Sequence, residues 1–394
     1  MRECNICQLG GRSYFRKALM KRFNRYTLFL LIILYTTGGQ AAGRSIVPND
    51  SCETEIPTNE PRKKKKNVIY RFFQQFDNYD TSYITPNYYN YSVMLQNTTS
   101  MELLRFSGTN PDDHKQSLHF NSSPSFKVGP YFGWRWIFFG YSFDVANFAS
   151  SRKKSEFNLS LYSSMLGCDL IYQRNRGDYK IQRTRGFKGI EPDRFRNLDF
   201  DGLKTQTTGA NVYYIFNHKH FSYPAAFSQS TVQRKSCGTW KLGATFTRQK
   251  IEFDYRKLPS VLLGSDNAGL NSTLKFNKII YNDYSFSVGY AYNWVFAPNC
   301  LFCISLAPAI GFKHTESENK TYVEDVFDIR NINVDVITRV GLVWNNTKWF
   351  GGLSLVAHTY DYRKNRLSLN NTFGSLKAYF GMNFMQKSQY KRQK

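Results

Sequence analysis

The chain of 394 residues contains no long apolar run. Its longest candidate, Leu28 to Leu34, falls far short of the roughly 20 residues that a membrane-spanning helix requires. A helical membrane protein is therefore excluded. Acidic residues are scarce, with 29 Asp and Glu against 53 Lys and Arg, a net charge of +24. Cysteine is sparse as well, seven in all. Cys4 and Cys7 lie in a leader, and the other five, Cys52, Cys168, Cys237, Cys300 and Cys303, are odd in number and irregularly spaced. That excludes a disulfide framework.

The leader itself is legible. "KRFNRYTLFLLIILYTTGGQAAG" places Lys21, Arg22 and Arg25 before an apolar core and small residues, the layout of a signal peptide cleaved near Ala41 or Ala42. Residues 1–42 are read as that peptide, with Met20 a better start than Met1 because the preceding stretch is too long for an n-region. Removing them leaves a charge of +18 on the exported part, since they hold seven Lys/Arg and one Glu. Export argues against nucleic acid and leaves lipid head groups, phosphorylated glycans or acidic solutes as partners. Residues 43–87 are polar, basic and Pro-rich and read as a periplasmic linker and N-terminal segment. Its Lys63–Lys66 run is a solvated segment or a contact to membrane phosphates.

Aromatic residues are abundant: 27 Tyr and 33 Phe bring the aromatic share to 17%. They favour strands, and their placement says which kind. In "YSFSVGYAYNWVF", Tyr284, Phe286, Val288, Tyr290, Tyr292, Trp294 and Phe296 alternate with Ser285, Ser287, Gly289, Ala291, Asn293 and Val295. Soluble strands run about 5–6 residues, whereas a tilted transmembrane strand needs about 9–11. About twelve such spans follow, near 90–107, 125–134, 136–147, 155–164, 167–175, 205–217, 236–253, 283–296, 301–314, 331–344, 348–361 and 372–385. Long or polar connections (108–124, 148–154, 176–204, 254–282, 315–330 and 362–371) alternate with short ones, except for 218–235. Short periplasmic turns, long outer loops and an even strand count organise an outer-membrane β-barrel. In lipid no backbone group can go unpaired, so such a sheet closes on itself. The large residues then face acyl chains, and Trp134, Trp136, Trp294, Trp344 and Trp349 fall beside short turns, at interface depth.

Several blocks carry a family resemblance: "MLQNT", "KVGPYFGWRWIFFGYSFD", "EFNLSLYSS", "FSYPAAFSQS", "GYAYNWVFAPNCLFC" and "WNNTKW…HTYDYRKNR". Together they resemble domain-of-unknown-function family 4421, predicted outer-membrane proteins of Bacteroides-type Gram-negative bacteria, from about Asp80 to Phe384. The resemblance implies an exported barrel and supplies no activity. The C-terminus departs from the usual barrel ending, because "KSQYKRQK" trails the aromatic Phe384 that assembly machinery would read.

Candidate functional residues follow from parity, since charge facing lipid is costly. Lys127, Arg135, Asp144, Glu156, Asp335, Arg339, His358 and Lys377 are expected to line the lumen, either sealing it by pairing or lining a polar path. His358 shares a face with Ser354, but at about 3.3 Å per residue they are about 13 Å apart. That is too far for nucleophile activation. Cys300 and Cys303 face opposite sides of a strand and lack further ligands for a metal. Cys168, Cys237 and Cys300 sit on strands about 9–10 Å apart, beyond the roughly 6.8 Å Cα limit of a disulfide. Free thiols are expected. "FSYPAAFSQS", Phe221–Ser230, is an ordered periplasmic turn or a segment folded into the barrel mouth as a plug or a partner contact. Arg174, Arg176, Lys180, Arg183, Arg185 and Lys188 form a basic outer loop suited to lipopolysaccharide phosphates or an anionic solute. The Asn-X-Ser/Thr triplets carry no information in a bacterial barrel.

The expected architecture is an all-β, closed antiparallel transmembrane barrel of about 12 strands (alternatives 10 or 14) over residues 88–386, followed by a basic tail, 387–394. The expected role is non-enzymatic, without cofactor or metal, in the outer membrane: structural, or a narrow passage for small polar or anionic solutes. Alternatives are an anchoring protein that binds phosphorylated glycolipid or a periplasmic partner, and a lipid-modifying enzyme. Lipids, lipopolysaccharide and the barrel-assembly machinery are the expected partners. No reading of oligomeric state follows.

Overall fold

The computed structural model describes residues 79–110, 114–134, 137–140, 142–145, 154–264, 269–316, 332–364 and 366–391. Alternating large and small residues become strand almost throughout. In order they are β1 (Ile84–Pro86), β2 (Tyr89–Thr109), β3 (Lys115–Ser122), β4 (Ser125–Trp134), β5 (Ile137–Gly140), β6 (Phe143–Asp144) and β7 (Lys154–Tyr162). Then come β8 (Leu166–Arg176), β9 (Tyr179–Arg185), β10 (Leu198–Phe200), β11 (Leu203–Ile215), the short helix α1 (Tyr223–Phe227) and β12 (Thr231–Gln233). β13 (Cys237–Phe253) leads to helix α2 (Ser260–Leu263). The chain ends with β14 (Lys278–Ala297), β15 (Cys300–Thr315), β16 (Ile332–Asn345), β17 (Trp349–Lys364), β18 (Leu367–Gln386) and helix α3 (Ser388–Lys391). No helix among the described residues is long and apolar enough to cross a membrane.

One antiparallel sheet holds 16 of these strands, in the order β10-β9-β3-β2-β18-β17-β16-β15-β14-β13-β11-β8-β7, with β4 pairing β2, β5 and β6. The first long strand is paired with the last: β2 runs against β18 from Tyr89↔Gln386 to Gly108↔Leu367. Closure, however, is not present among the described residues. β5 and β6 are four and two residues long, and no described ladder joins either to β7. Such short strands cannot match the eleven-residue ladder that β7's neighbour β8 makes with β11.

Three expected loops are corrected. Residues 108–124 and 176–204 contain β3, β9 and β10, which extend the sheet at its long-connection end. Tyr179 and Ile181 alternate with basic residues and bury themselves beside Phe120, which is why a charged segment still pairs as a strand. Gly177, at φ +90 in the β8–β9 turn, takes a left-handed conformation that side chains rarely adopt. Residues 362–371 are not a loop either, because β17 and β18 continue to a tight hairpin, Lys364↔Leu367. The N-terminal segment is likewise part of the fold from Ile84, since β1 pairs with β12. The signal-peptide region and the linker up to residue 78 lie outside the described residues.

The two faces of the sheet differ as the alternation predicts. On β14, Tyr284, Phe286, Val288, Tyr290, Tyr292, Trp294 and Phe296 are all exposed, while Asp283, Ser285, Ser287, Ala291 and Asn293 are buried. Trp294, Trp344 and Trp349 lie on the exposed face beside the short turns. Trp136 lies outside the described residues. The buried face is capped at the long-connection end by an apolar cluster. There Phe106, Phe120, Phe200 and Phe253 pack with Leu258, Leu262, Leu270 and Leu274 from the β13–β14 connection.

Candidate functional site

The enclosed face carries the chemistry. Parity along each strand sends Asp169 from β8, Arg339 from β16 and Tyr162 from β7 to one place. Arg339 is 1% exposed. One Nη pairs with Asp169 Oδ2, and the other donates to Tyr162 OH at 2.9 Å. Asn211 Nδ2 donates to the same carboxylate at 3.0 Å, and Asn211 Oδ1 accepts from Thr245 at 3.0 Å. Both charges of this charge-assisted pair are met, with the bonds to the carboxylate gathered on Oδ2 while Oδ1 has no hydrogen-bond partner.

Nearer the apolar cap, Lys313 reaches Asp335 at 2.7 Å and Asp283 at 3.4 Å. Gly311 makes room for them, since a Cβ there would stand 2.6 Å from Asp283 Oδ1 and 3.0 Å from Asp335 Oδ2. Tyr281, stacked on Tyr362 with ring centroids 4.6 Å apart, covers the ammonium. Glu102 accepts from Tyr179 OH at 2.6 Å and Thr205 at 3.0 Å.

At the short-turn end the segment Phe221–Ser230 enters the enclosed space. Ser222 caps α1 by accepting from Ala225 N–H, and Pro224 sits in the first turn, where its missing N–H costs nothing. Phe221, Tyr223 and Ala226 are fully buried. Tyr223 stacks on Tyr162, its OH donates to Ser305 Oγ at 2.7 Å, and Lys241 Nζ donates to Tyr223 OH at 2.6 Å and Ser305 Oγ at 2.7 Å. Asn293 donates to Ser222 O, and Gln229 to Tyr379 OH. The segment is thus bonded to four separate strands of the wall. Of the two expectations for it, the one of a segment folded inward describes its position.

The other expected residues are placed as follows. Lys127 pairs with Glu156 at 2.7 Å, and Ser100 donates to the same carboxylate. Asp144 stands opposite Lys127 in the β4–β6 pairing, so they share a face. His358 and Ser354 are both buried on the enclosed face. Among the described residues no hydrogen bond joins them, and His358 Nδ1 has no partner. Lys377 is half-buried on that face, opposite Ser354 in register. Arg135 lies outside the described residues. Sequence reasoning missed Glu102, Asp169, Lys241, Asp283 and Lys313. Counting parity on every strand would have found all five, since each lies within one of the expected spans 90–107, 167–175, 236–253, 283–296 and 301–314.

The expected basic loop is not a loop. Arg174 and Arg176 end β8, Lys180, Arg183 and Arg185 lie on β9, and Lys188 follows it, exposed. Arg174, Arg176 and Lys180 have the parity opposite the buried Asn175, Tyr179 and Ile181, and a register irregularity between His119 and Phe120 in the β3–β9 pairing turns Arg183 and Arg185 to the side away from buried Thr184. The four described cysteines, Cys168, Cys237, Cys300 and Cys303, are free. No group of three or more His, Cys, Asp or Glu suited to a metal occurs among the described residues.

An all-antiparallel sheet with an aromatic outer face and an enclosed charged face defines a class of β-protein that is apolar outside and polar inside. The chain belongs to the family described as Domain of unknown function (DUF4421), whose model matches residues 78–384. No curated protein matches it. Among solved structures it is similar to the outer membrane protease OmpT of Escherichia coli at 8% identity, covering 76% of this chain and 98% of that one, TM-score 0.35. It is also similar to the outer membrane protein OprG of Pseudomonas aeruginosa at 8%, covering 76% and 98%, TM-score 0.22. A third is the translocator domain of the autotransporter NalP of Neisseria meningitidis, at 8%, covering 80% and 93%, TM-score 0.25. At such scores nothing of those proteins' activities transfers to this chain.

Proposed function

We propose that the chain is an outer-membrane β-barrel protein with a closed lumen, non-enzymatic, serving a structural or anchoring role rather than as an open passage. One observation carries the reading: the sheet is inverted relative to a soluble protein. Phe286 and Trp240 are each 60% exposed while Arg339 is 1% and Asp283 0% exposed. Contiguous exposed apolar surface on this scale marks an interaction or membrane surface. The length also fits. From Tyr284 to Phe296 the strand advances on the order of 40 Å, or roughly 28–32 Å of height at a 35–45° tilt, against an apolar band about 25 Å tall plus its aromatic girdles.

Closure follows from the same solvent, since an unpaired sheet edge in lipid leaves backbone groups without partners at several kcal/mol each. The Lys127–Glu156 bridge brings β4 and β7 together, which supports a ring that closes between them. Export uses the signal peptide of residues 1–42, and the assembly machinery reads the last strand near Phe384. N-terminal sequencing of the membrane-extracted protein checks the cleavage near Ala41 or Ala42.

The apolar cap, the paired charges and the inserted α1 segment together support a sealed interior. Full-length protein reconstituted in planar bilayers is expected to insert, show heat-modifiable gel mobility and conduct no ions. Steady single-channel conductance would overturn the closed lumen, and failure to partition into membranes would overturn the barrel.

A further inference from the structure

The outward face changes character abruptly at one height. On β2 the outward positions carry exposed Val93 and Leu95, half-buried Asn97 and Thr99, then exposed Met101 and Leu103, and the next position is Arg105. Register carries this level across neighbouring strands: Arg105 stands opposite Asn370 on β18 and His119 on β3, and His119 stands opposite Arg183 on β9. One step farther from the apolar belt, Ser107 faces Ser117, and Ser117 faces Arg185. A cationic row therefore begins within about 7 Å of the last apolar residue, at roughly 3.4 Å per position.

The fold neutralises only part of the charge on this row. Arg183 pairs with Asp193 at 3.1 Å. Among the described residues, neither Arg105 nor Arg185 has an ion pair or hydrogen bond. His119 reports the resulting potential, because burial and then the guanidiniums of Arg105, Arg185 and Arg183 push its pKa down to about 4. A cavity of about 300 Å³ opens on the same face, lined by His119, Asn121, Gln182, Arg183, Asp193 and Arg196.

We propose that this outward cationic row on β2, β3 and β9 binds the phosphate of a membrane glycolipid, with Arg105 and Arg185 as the phosphate ligands. The proposal rests on the outer-membrane reading and adds a ligand and its residues to it. Guanidinium groups hold phosphate through paired N–H donors at fixed geometry. The cavity beside Arg183 takes the sugar, where Asn121 and Gln182 supply neutral donors and acceptors. A lipid rather than a free anion is indicated by what lies directly below. Leu103 and Met101 are exposed on the same strand and present a wall for acyl chains whose head group reaches Arg105.

The test uses full-length protein in vesicles that contain a phosphorylated glycolipid, its dephosphorylated form, or phosphatidylcholine alone. Lipid retained after detergent extraction is measured by native mass spectrometry. Wild type is expected to retain the phosphorylated form selectively, and the double variant Arg105→Gln/Arg185→Gln to lose at least tenfold of that retention. Both side chains are exposed, and heat-modifiable mobility verifies that the variant folds; Arg185→Gln alone, at the strand end, provides a milder second variant. Equal retention of the two glycolipids, or an unchanged double variant, overturns the site while leaving the barrel intact. Displacement by inorganic phosphate at matched concentration identifies a free-anion site and overturns the lipid assignment. Failure of wild type to insert at all removes the barrel reading, a result distinct from insertion without selectivity.

Discussion

Individual side chains here obey opposite rules on the two faces of one sheet. Inside, a charge survives only if paired, and Arg339 shows what pairing is worth. Asp169→Asn leaves its guanidinium buried without a counter-charge, and removal of one member of such a pair costs roughly 3–5 kcal/mol. Urea unfolding of Asp169→Asn against wild type is expected to show that loss, while the paired replacement Asp169→Leu/Arg339→Leu loses much less. Outside, His119 is held near pKa 4 in the fold against about 6.5 when free. The unfolded chain binds more protons between those values, so stability falls as pH drops from about 6.5 to 4 and is fully present above 6.5. His119→Gln is expected to flatten that part of the pH–stability curve, and a bound phosphate to raise the histidine's pKa in an NMR titration. As Ser117 touches His119 at 3.3 Å, Ser305 touches a basic side chain, Lys241, together with Tyr223. It is fully buried, so a serine-reactive phosphonate is expected to leave it unlabelled. Labelling of Ser305 would revive the enzymatic alternative.

At the scale of elements, the segment Phe221–Ser230 and the β13–β14 connection perform the same task at opposite ends of the sheet by different physics. The connection covers the buried face at its end with leucine and phenylalanine packing. The segment covers it at the other with a buried aromatic stack and hydrogen bonds from Lys241, Asn293 and Gln229. Tyr223→Ala is expected to cost on the order of 3–5 kcal/mol, as large aromatic truncations do. Replacing Phe221–Ser230 with a short flexible loop is expected to produce ion conductance where the full chain is silent. If the replacement is silent too, the segment is not what closes that end. Pro224 and the small residues marked this stretch as something other than strand. Whether it turned away or folded inward was not legible, because its partners, Tyr162, Lys241, Ser305 and Tyr379, are distant in the chain. The basic segment 176–204 misled for the opposite reason. Its charge suggested a solvated loop, and the alternating Tyr179 and Ile181 that pair it to β3 were too few to outweigh that charge by pattern alone.

For the whole molecule, the sequence by itself determined the class of solvent on each face. Strict alternation over Tyr284–Phe296 gives the strand two unlike faces, and its length, well beyond the about 5–6 residues of soluble strands, points to lipid beside the large one. The spacing of turns located the strands for the same reason, since connections tolerate only certain residues. Parity also assigned Asp335, Arg339 and His358 to the enclosed face, which depends only on counting along one strand. What parity cannot supply is who meets whom. The Arg339–Asp169 pair joins β16 and β8, five places apart in the sheet order, and the cationic row joins β2, β3 and β9 through their register. Register and sheet order are collective properties of paired backbones, so they were decided only in the tertiary structure. The same holds for the direction of the basic residues: their number was evident from composition, but their placement beside the apolar belt came from the strand that Ile181 and Tyr179 anchor.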